Sequence, residues 1–198
     1  MNKLTGKQYI EHWQTRMARG PLAAGTLENG NDIWQFIRGF LPKKFMPESV
    51  LEYGCAYGRM LRQIHKEWPD ARLYGVDLSK EALMHLVQNW QGPPVQIFNQ
   101  HIPPDEIETD MIFTCTVLQH VTDDGILRSI VKGFGKILKQ NGLLVLFENV
   151  NWRPGQGGAH MREFAARDYM NLWPDLDWRD CGIFMHGAEA HELMIGKK

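Results

Sequence analysis

The chain is poor in cysteine and has no long apolar run. Three cysteines, Cys55, Cys115 and Cys181, occur in 198 residues, with no CxxC pair. An odd count without paired spacing fits reduced cytoplasmic thiols, held as small core or loop residues, better than a disulfide framework. The longest apolar stretches, such as Leu143 to Phe147, are far too short to span a bilayer. The opening residues, Met1 to Lys7, contain no apolar segment of the secretory kind, so a cytoplasmic location is expected. No charge of one sign dominates: the net charge is -1, which gives no reason to expect nucleic acid or an anionic membrane as partner. The eight histidines show no HExxH spacing, so no metal site is expected. No serine or cysteine sits in a G-x-S-x-G context, which removes the nucleophile elbow.

What is present is concentrated in Ser49 to Arg59. A short apolar run, Val50-Leu51, meets an acid at Glu52 and then a loop with Gly54, Ala56 and Gly58. Beyond it Met60, Leu61 and Ile64 fall on one helical face. Strand, small-residue loop and helix form the layout of a nucleotide-type cofactor site, in which the helix N-terminus offers free N–H groups to an anionic part of the ligand. A dinucleotide fingerprint, G-x-G-x-x-G, needs glycine at 56 and 59, where the chain has Ala56 and Arg59.

Two helices precede this unit. One runs from Thr5 to Ala18 with Tyr9, Trp13 and Met17 on one face, and Gly20-Pro21 ends it. Gly25 to Asn31 reads as a flexible connection, and Asn31 or Asp32 caps a second helix from Ile33 to Leu41. From Val50 onward short strands alternate with helices. Strands are expected at Ser49–Glu52, Arg72–Val76, Val95–Phe98, Asp110–Cys115 and Leu143–Glu148. Helices are expected to Glu67, over Ser79–Trp90 with Ser79 as cap, and over Asp124–Lys139 with Asn141-Gly142 as stop. That alternation implies an α/β fold with a parallel sheet and helices on both faces. Later, Asn151 to His160 is a glycine-rich loop, Arg162 to Trp173 a helix, and Cys181–His186 and His191–Ile195 a hairpin.

The spacing Glu52-x-Gly54-x-Ala56-x-Gly58 resembles motif I of the class I S-adenosylmethionine-dependent methyltransferases. Leu73-Tyr-Gly-Val-Asp77 resembles their second motif, a strand ending in an acid. Asp110-Met-Ile-Phe followed by Leu118-Gln-His120, and Leu138-Lys-Gln-Asn-Gly-Leu-Leu-Val-Leu146, resemble the blocks around strands four and five. The resemblance covers about Ser49 to Lys198. It implies a doubly wound, mostly parallel seven-stranded sheet with an antiparallel last strand. It divides the chain into an N-terminal helical lid at 1–46 and an S-adenosylmethionine-binding domain at 47–198.

For the cofactor, the resemblance implies contacts from Glu52, Gly54, Cys55, Ala56, Gly58, Asp77 and Leu78. Asp77 would accept both ribose hydroxyls. Cys115, Thr116 and Leu118 would line the methionine part. In the adenine pocket, where the family often has an acid, the chain offers Gln100, His101 and Ile102. Trp13 and Arg16 either cover the cofactor, with the guanidinium on its carboxylate, or simply belong to a packed helix. His120 is either a general base or a packing residue. On the acceptor side, Glu148 and His160 are candidates for proton removal, and Asn151, Arg162 and Tyr169 for acceptor binding. Alternatively Arg162 and Tyr169 pair with Glu148 and order the loop. No Asn/Asp-Pro-Pro-Tyr follows strand four, the motif that in this superfamily marks methylation of base or amide nitrogens. The expected function is methyl transfer to a small-molecule acceptor. A nicotinamide-dependent oxidoreductase and a non-catalytic binding module of the same fold stand as rivals.

Overall fold

In the computed structural model, residues 3–20, 30–150, 159–186 and 189–198 are described. Two helices, α1 (Gly6–Met17) and α2 (Gly30–Phe40), lead into β1 (Ser49–Tyr53), α3 (Arg59–Glu67), β2 (Arg72–Asp77), α4 (Lys80–Gln88), β3 (Gln96–Asn99) and β4 (Thr109–Cys115). A 3-10 turn (Leu118–His120) then precedes α5 (Asp124–Ile137), β5 (Leu138–Asn149), α6 (Ala166–Met170), β6 (Asp177–His186) and β7 (Glu189–Lys197). The strands form one sheet in the order β3-β2-β1-β4-β5-β7-β6. All pairings among β1 to β5 are parallel, and β7 runs antiparallel to both β5 and β6. This is the seven-stranded, doubly wound sheet expected, with one strand reversed. No described helix is long and apolar enough to cross a membrane.

Alternation along the strands sorts the core into two layers. Val50, Met111, Phe113, Val145 and Phe147 point to the side covered by α2 and α3. Their neighbours Leu51, Ile112, Leu144 and Leu146 point to the side covered by α1 and α5. Both faces are therefore buried, which is why Leu143 to Phe147 of β5 is an unbroken apolar run.

Three local expectations are corrected. Helix α2 already includes Asn31 and Asp32, which lie in its first turn rather than at its cap. Helix α5 ends at Ile137 and not at Lys139, because Leu138 is extended and pairs with Thr109. The next pairing, Leu143 with Met111, leaves extra residues on β5, and Asn141 takes up the excess at φ 63. The Asn-Gly turn thus sits inside β5. The helix expected over Arg162–Trp173 is only five residues, Ala166–Met170, since Arg162 is drawn to Asp124 (2.6 Å) and Ala165 is extended. The connection at 25–29, Asn151 and the tip of the last hairpin lie outside the described residues.

One carboxylate ties the start of α1 to the start of α5. Thr5 gives α1 no side-chain cap. Instead Asp123 accepts the Gly6 N–H on Oδ2 (2.7 Å) while its Oδ1 accepts the Ile126 N–H (2.9 Å) and so caps α5. Leu4 adds two backbone ties, donating to Ala159 O (3.0 Å) and accepting from the Thr122 hydroxyl (2.6 Å). Asp123→Ala removes two caps at once. The expected loss is about 1–2 kcal/mol in urea unfolding, with proteolysis speeding up in α1 first. An unchanged midpoint would show that the shared cap contributes nothing.

Candidate active site

The carboxyl ends of β1, β2, β4 and β5 and the start of β7 meet at one edge of the sheet. There a single cavity encloses about 570 Å³, within the size range of small-molecule sites, about 300–1,000 Å³. Its wall comes from α1, from the loops after β1, β2, β3 and β4, from Phe147, from His160-Met161, and from Glu189 and His191.

The loop after β1 folds as it does because β2 holds it. Gly54 N–H (2.7 Å) and Cys55 N–H (3.1 Å) donate to Val76 O, and Ala56 N–H donates to Asp77 Oδ2 (2.8 Å). Gly54 and Gly58 both take left-handed backbone, φ 76 and 75. A Cβ on Gly54 would come within 2.3 Å of Val117, and one on Gly58 within 2.3 Å of Leu86. Those glycines therefore let the loop approach its own neighbours, where the sequence suggested approach to a ligand. Ala56 (φ 46) and Thr116 (φ 58) are left-handed without being glycine, and both line the cavity. Each conformation costs about 1–2 kcal/mol, held here by the surrounding hydrogen bonds.

Three carboxyls at this edge have different surroundings. Asp77 lines the cavity, accepting from Ala56 N–H and, on Oδ1, from Ser79 N–H (2.8 Å). Burial raises its pKa, and those amides oppose the rise. Ser79 independently caps α4 through Ala82 N–H, so Asp77 is not needed as that helix's cap. Glu52 is 3% exposed and its Oε2 has no hydrogen-bond partner among the described residues. Burial pushes it up to about 8, with Arg59 pulling the other way. Glu148 is fully buried. It accepts from the Thr114 hydroxyl (2.7 Å), Val117 N–H (2.9 Å) and Gln119 N–H (3.3 Å), and burial raises it to about 7.

Most of the expected cofactor residues lie in the wall: Trp13, Arg16, Glu52, Gly54, Cys55, Ala56, Asp77, Leu78, Gln100, Cys115 and Thr116. Gly58, His101, Ile102 and Leu118 do not. Gly58 packs on Leu86, Leu118 is buried in the core, and His101 offers its carbonyl to the Tyr53 hydroxyl. Both thiols in the wall, Cys55 and Cys115, are raised by burial, which suits core residues and not nucleophiles. Arg16 lies 5.4 Å from the Trp13 ring and pairs with no carboxylate among the described residues.

The acceptor candidates separate. His120 and His160 line the cavity, whereas Glu148, Arg162 and Tyr169 do not. Glu148 braces the Val117–Gln119 turn and does not open onto the cavity. Arg162 pairs with Asp124 and the Val121 carbonyl, and Tyr169 donates to Asn149 O (3.4 Å). Neither pairs with Glu148, so that alternative is also corrected. His120 sits 3.1 Å from the His160 carbonyl through Nδ1, which must therefore carry the proton. Its Nε2 then accepts from the Gln119 amide at 3.3 Å. Burial holds its pKa down to about 3. The reading from sequence missed Gln119, Phe147, Glu189 and His191 as wall residues. The signal for the last two was the reversed last strand, whose start lies beside the end of β5.

Residues 50–142 match the family model described as a methyltransferase domain. The N-methyltransferase NodS of Bradyrhizobium japonicum, solved with S-adenosyl-L-homocysteine, superposes with a TM-score of 0.72 at 14% identity, over 96% of this chain and 98% of that one. A SAM-dependent methyltransferase of Anabaena variabilis gives 0.71 at 15% identity, over 100% and 98%. A malonyl-[acyl-carrier protein] O-methyltransferase of Xylella fastidiosa is 27% identical over 104 residues, 50% of this chain and 34% of that protein. The chain spans between about a third and a half of the length of the curated relatives it matches. Strand order and loop geometry define a Rossmann-like methyltransferase fold. Within that fold, residues 50–142 carry the match to the methyltransferase domain.

Glu52 supplies a test of the electrostatics. Its folded pKa is raised above the unfolded value of 4.5, to about 8. The folded state thus binds a proton that the unfolded state has lost. The stabilising contribution is complete below pH 4.5 and disappears as pH rises through 8. Stability is expected to fall across that window with a slope of up to about 1.4 kcal/mol per pH unit from this group. Glu52→Gln should remove that part of the slope in urea titrations at several pH values. Equal slopes in both proteins would refute the assignment.

Proposed function

We propose that the chain transfers the methyl group of S-adenosylmethionine to a small-molecule acceptor, with both held in the one cavity. The observation that carries this is continuity. The same space runs from Gln100 and Asp77, past Glu52 and Thr116, to His160 and His191. The residues fit the cofactor chemically. Asp77 keeps acceptor capacity for ribose hydroxyls beyond its two amides, and the Gln100 side chain can meet an adenine edge. Arg16, with no carboxylate partner, suits the cofactor's carboxylate, and the unpartnered Oε2 of Glu52 suits its ammonium.

The bound cofactor would supply a methyl carbon already made electrophilic by the sulfonium. The protein's part is then to align the acceptor, exclude water and receive a proton where one must leave. Trp13 closes the cavity from α1. His120 is spent on Gln119 and the His160 carbonyl, so His160 is the better candidate base: its ring nitrogens carry no hydrogen bond among the described residues. For a hydroxyl or amine acceptor, His160 would receive the proton that the acceptor loses on methylation. The names of the similar proteins specify oxygen in one case and nitrogen in another, so they do not choose between these acceptors.

Calorimetry with S-adenosylhomocysteine tests the reading. Binding is expected for this compound and none for a nicotinamide dinucleotide. Asp77→Asn, which keeps the shape and one acceptor oxygen, should weaken binding by about 30-fold, or 2 kcal/mol. Binding undiminished in Asp77→Asn, or no binding to the wild-type protein, would count against the proposal.

A further inference from the structure

Three imidazoles form a stack beside the cavity, two of them, His120 and His160, in its wall. The ring of His160 lies between those of His12 (5.4 Å, 22° between planes) and His120 (5.8 Å, 19°). The three come from separate parts of the chain: α1, the segment before α6, and the 3-10 turn. Trp13 closes the arrangement, edge-on to His12 (5.2 Å) and 4.5 Å from His120. The backbone on both sides of His160 is anchored, since Leu4 N–H donates to Ala159 O (3.0 Å) and Arg162 N–H to Gln119 O (2.6 Å). His120 is fixed by its own hydrogen bonds, including the one to the His160 carbonyl. Among the described residues, His160 has only its neighbours' rings to hold its own. The Nε2 of His12 is buried with no hydrogen-bond partner among the described residues, so His12 too is held by packing.

We infer that His12 is a positioning residue: together with His120 it clamps the ring of His160 into the cavity wall, leaving the His160 nitrogens to face the acceptor. The inference rests on the reading of His160 as the base and goes beyond it, because His12 does not itself line the cavity. Trp13 alone does not provide the clamp, standing 6.4 Å from His160 at 66°. A flat ring at position 12 is what the geometry requires.

Charge reinforces the packing. The groups facing the stack are cationic or imidazole: Lys3, Arg16 and Arg19 from the N-terminal segment, and His120 from the turn. The pKa of His160 is lowered by burial first, then by His12, Arg16 and Lys3. That of His12 is lowered by burial, Arg16 and Arg19. With folded values below the unfolded one, the stack's contribution is complete above the ordinary imidazole value and is lost as pH falls below it.

The test is imidazole NMR of the whole protein as wild type, His12→Phe and His12→Ala, titrated from pH 5 to 8, with calorimetry for S-adenosylhomocysteine at pH 8. In wild type, His160 should titrate below a free imidazole. His12→Phe keeps a ring face and loses only the charge at position 12, so burial should still hold the midpoint below that of a free imidazole. His12→Ala should move the midpoint toward the ordinary value and broaden the His160 ring signals. The same midpoint in wild type and His12→Ala, or an ordinary value in wild type, overturns the clamp. The calorimetry separates the two readings. Absence of cofactor binding in wild type would sink the proposed function, while the titrations decide the clamp on their own.

Discussion

The site depends on the bond between the loop after β1 and the end of β2. Two amides, from Gly54 and Cys55, converge on the Val76 carbonyl, and a third, from Ala56, meets the Asp77 carboxylate. Parallel neighbours make this possible, because β1 and β2 deliver their carboxyl ends to the same edge. Ala56 is left-handed at some cost, and the charge-assisted bond to Asp77 offsets it. From the other side Val117 fills the space over Gly54, so β4 closes what β2 opens. A change at any of these positions reshapes the floor of the cavity before it touches a ligand.

The same edge shows how buried acids are divided between architecture and chemistry. Each is desolvated, and what differs is the number of donors. Glu148 has three donors and no access to the cavity. It ties β5 to the turn that carries Gln119 and His120. Asp77 has two amides and an open side. Glu52 has an oxygen with no hydrogen-bond partner among the described residues. An unpaired buried carboxylate oxygen is expensive, and it lies in the cavity wall, where a bound cation would relieve it. Donor count separates a brace from a binding group more clearly than burial does.

Much of this was legible in the sequence because period and spacing are local. The strand–loop–helix units, the Ser79 cap and the acid at the tip of β2 all follow from a few neighbouring residues. The misreadings share a different cause. Helix α5 stops early because β4 claims Leu138, and the Arg162 segment stays mostly extended because Asp124 and Val121 claim Arg162. The acid at 148 reads as catalytic because it ends a strand at the correct edge. Only the positions of Thr114, Val117 and Gln119 reveal that its oxygens are already spent. His12 carries no signal in sequence at all. Its relation to His160 exists only once α1 is pinned across the sheet edge by Asp123.

The two ends of the cavity also differ in where their residues come from. Glu52, Gly54, Asp77, Gln100 and Thr116 lie within residues 50–142, the stretch that matches the methyltransferase domain. Trp13, Phe147, His160, Glu189 and His191 lie outside it, before or after that stretch in the chain. The matched stretch supplies one part of the cavity wall, while the flanking segments fold over it and shape the remaining space. Proteins with similar cores can therefore bear names that specify different acceptor atoms without any contradiction in fold. In this chain the flanks bring two histidines, His12 and His160, against His120 of the core. The acceptor end is thus walled largely by imidazole and aromatic rings, and burial with nearby Arg16 keeps the imidazoles His120 and His160 unprotonated.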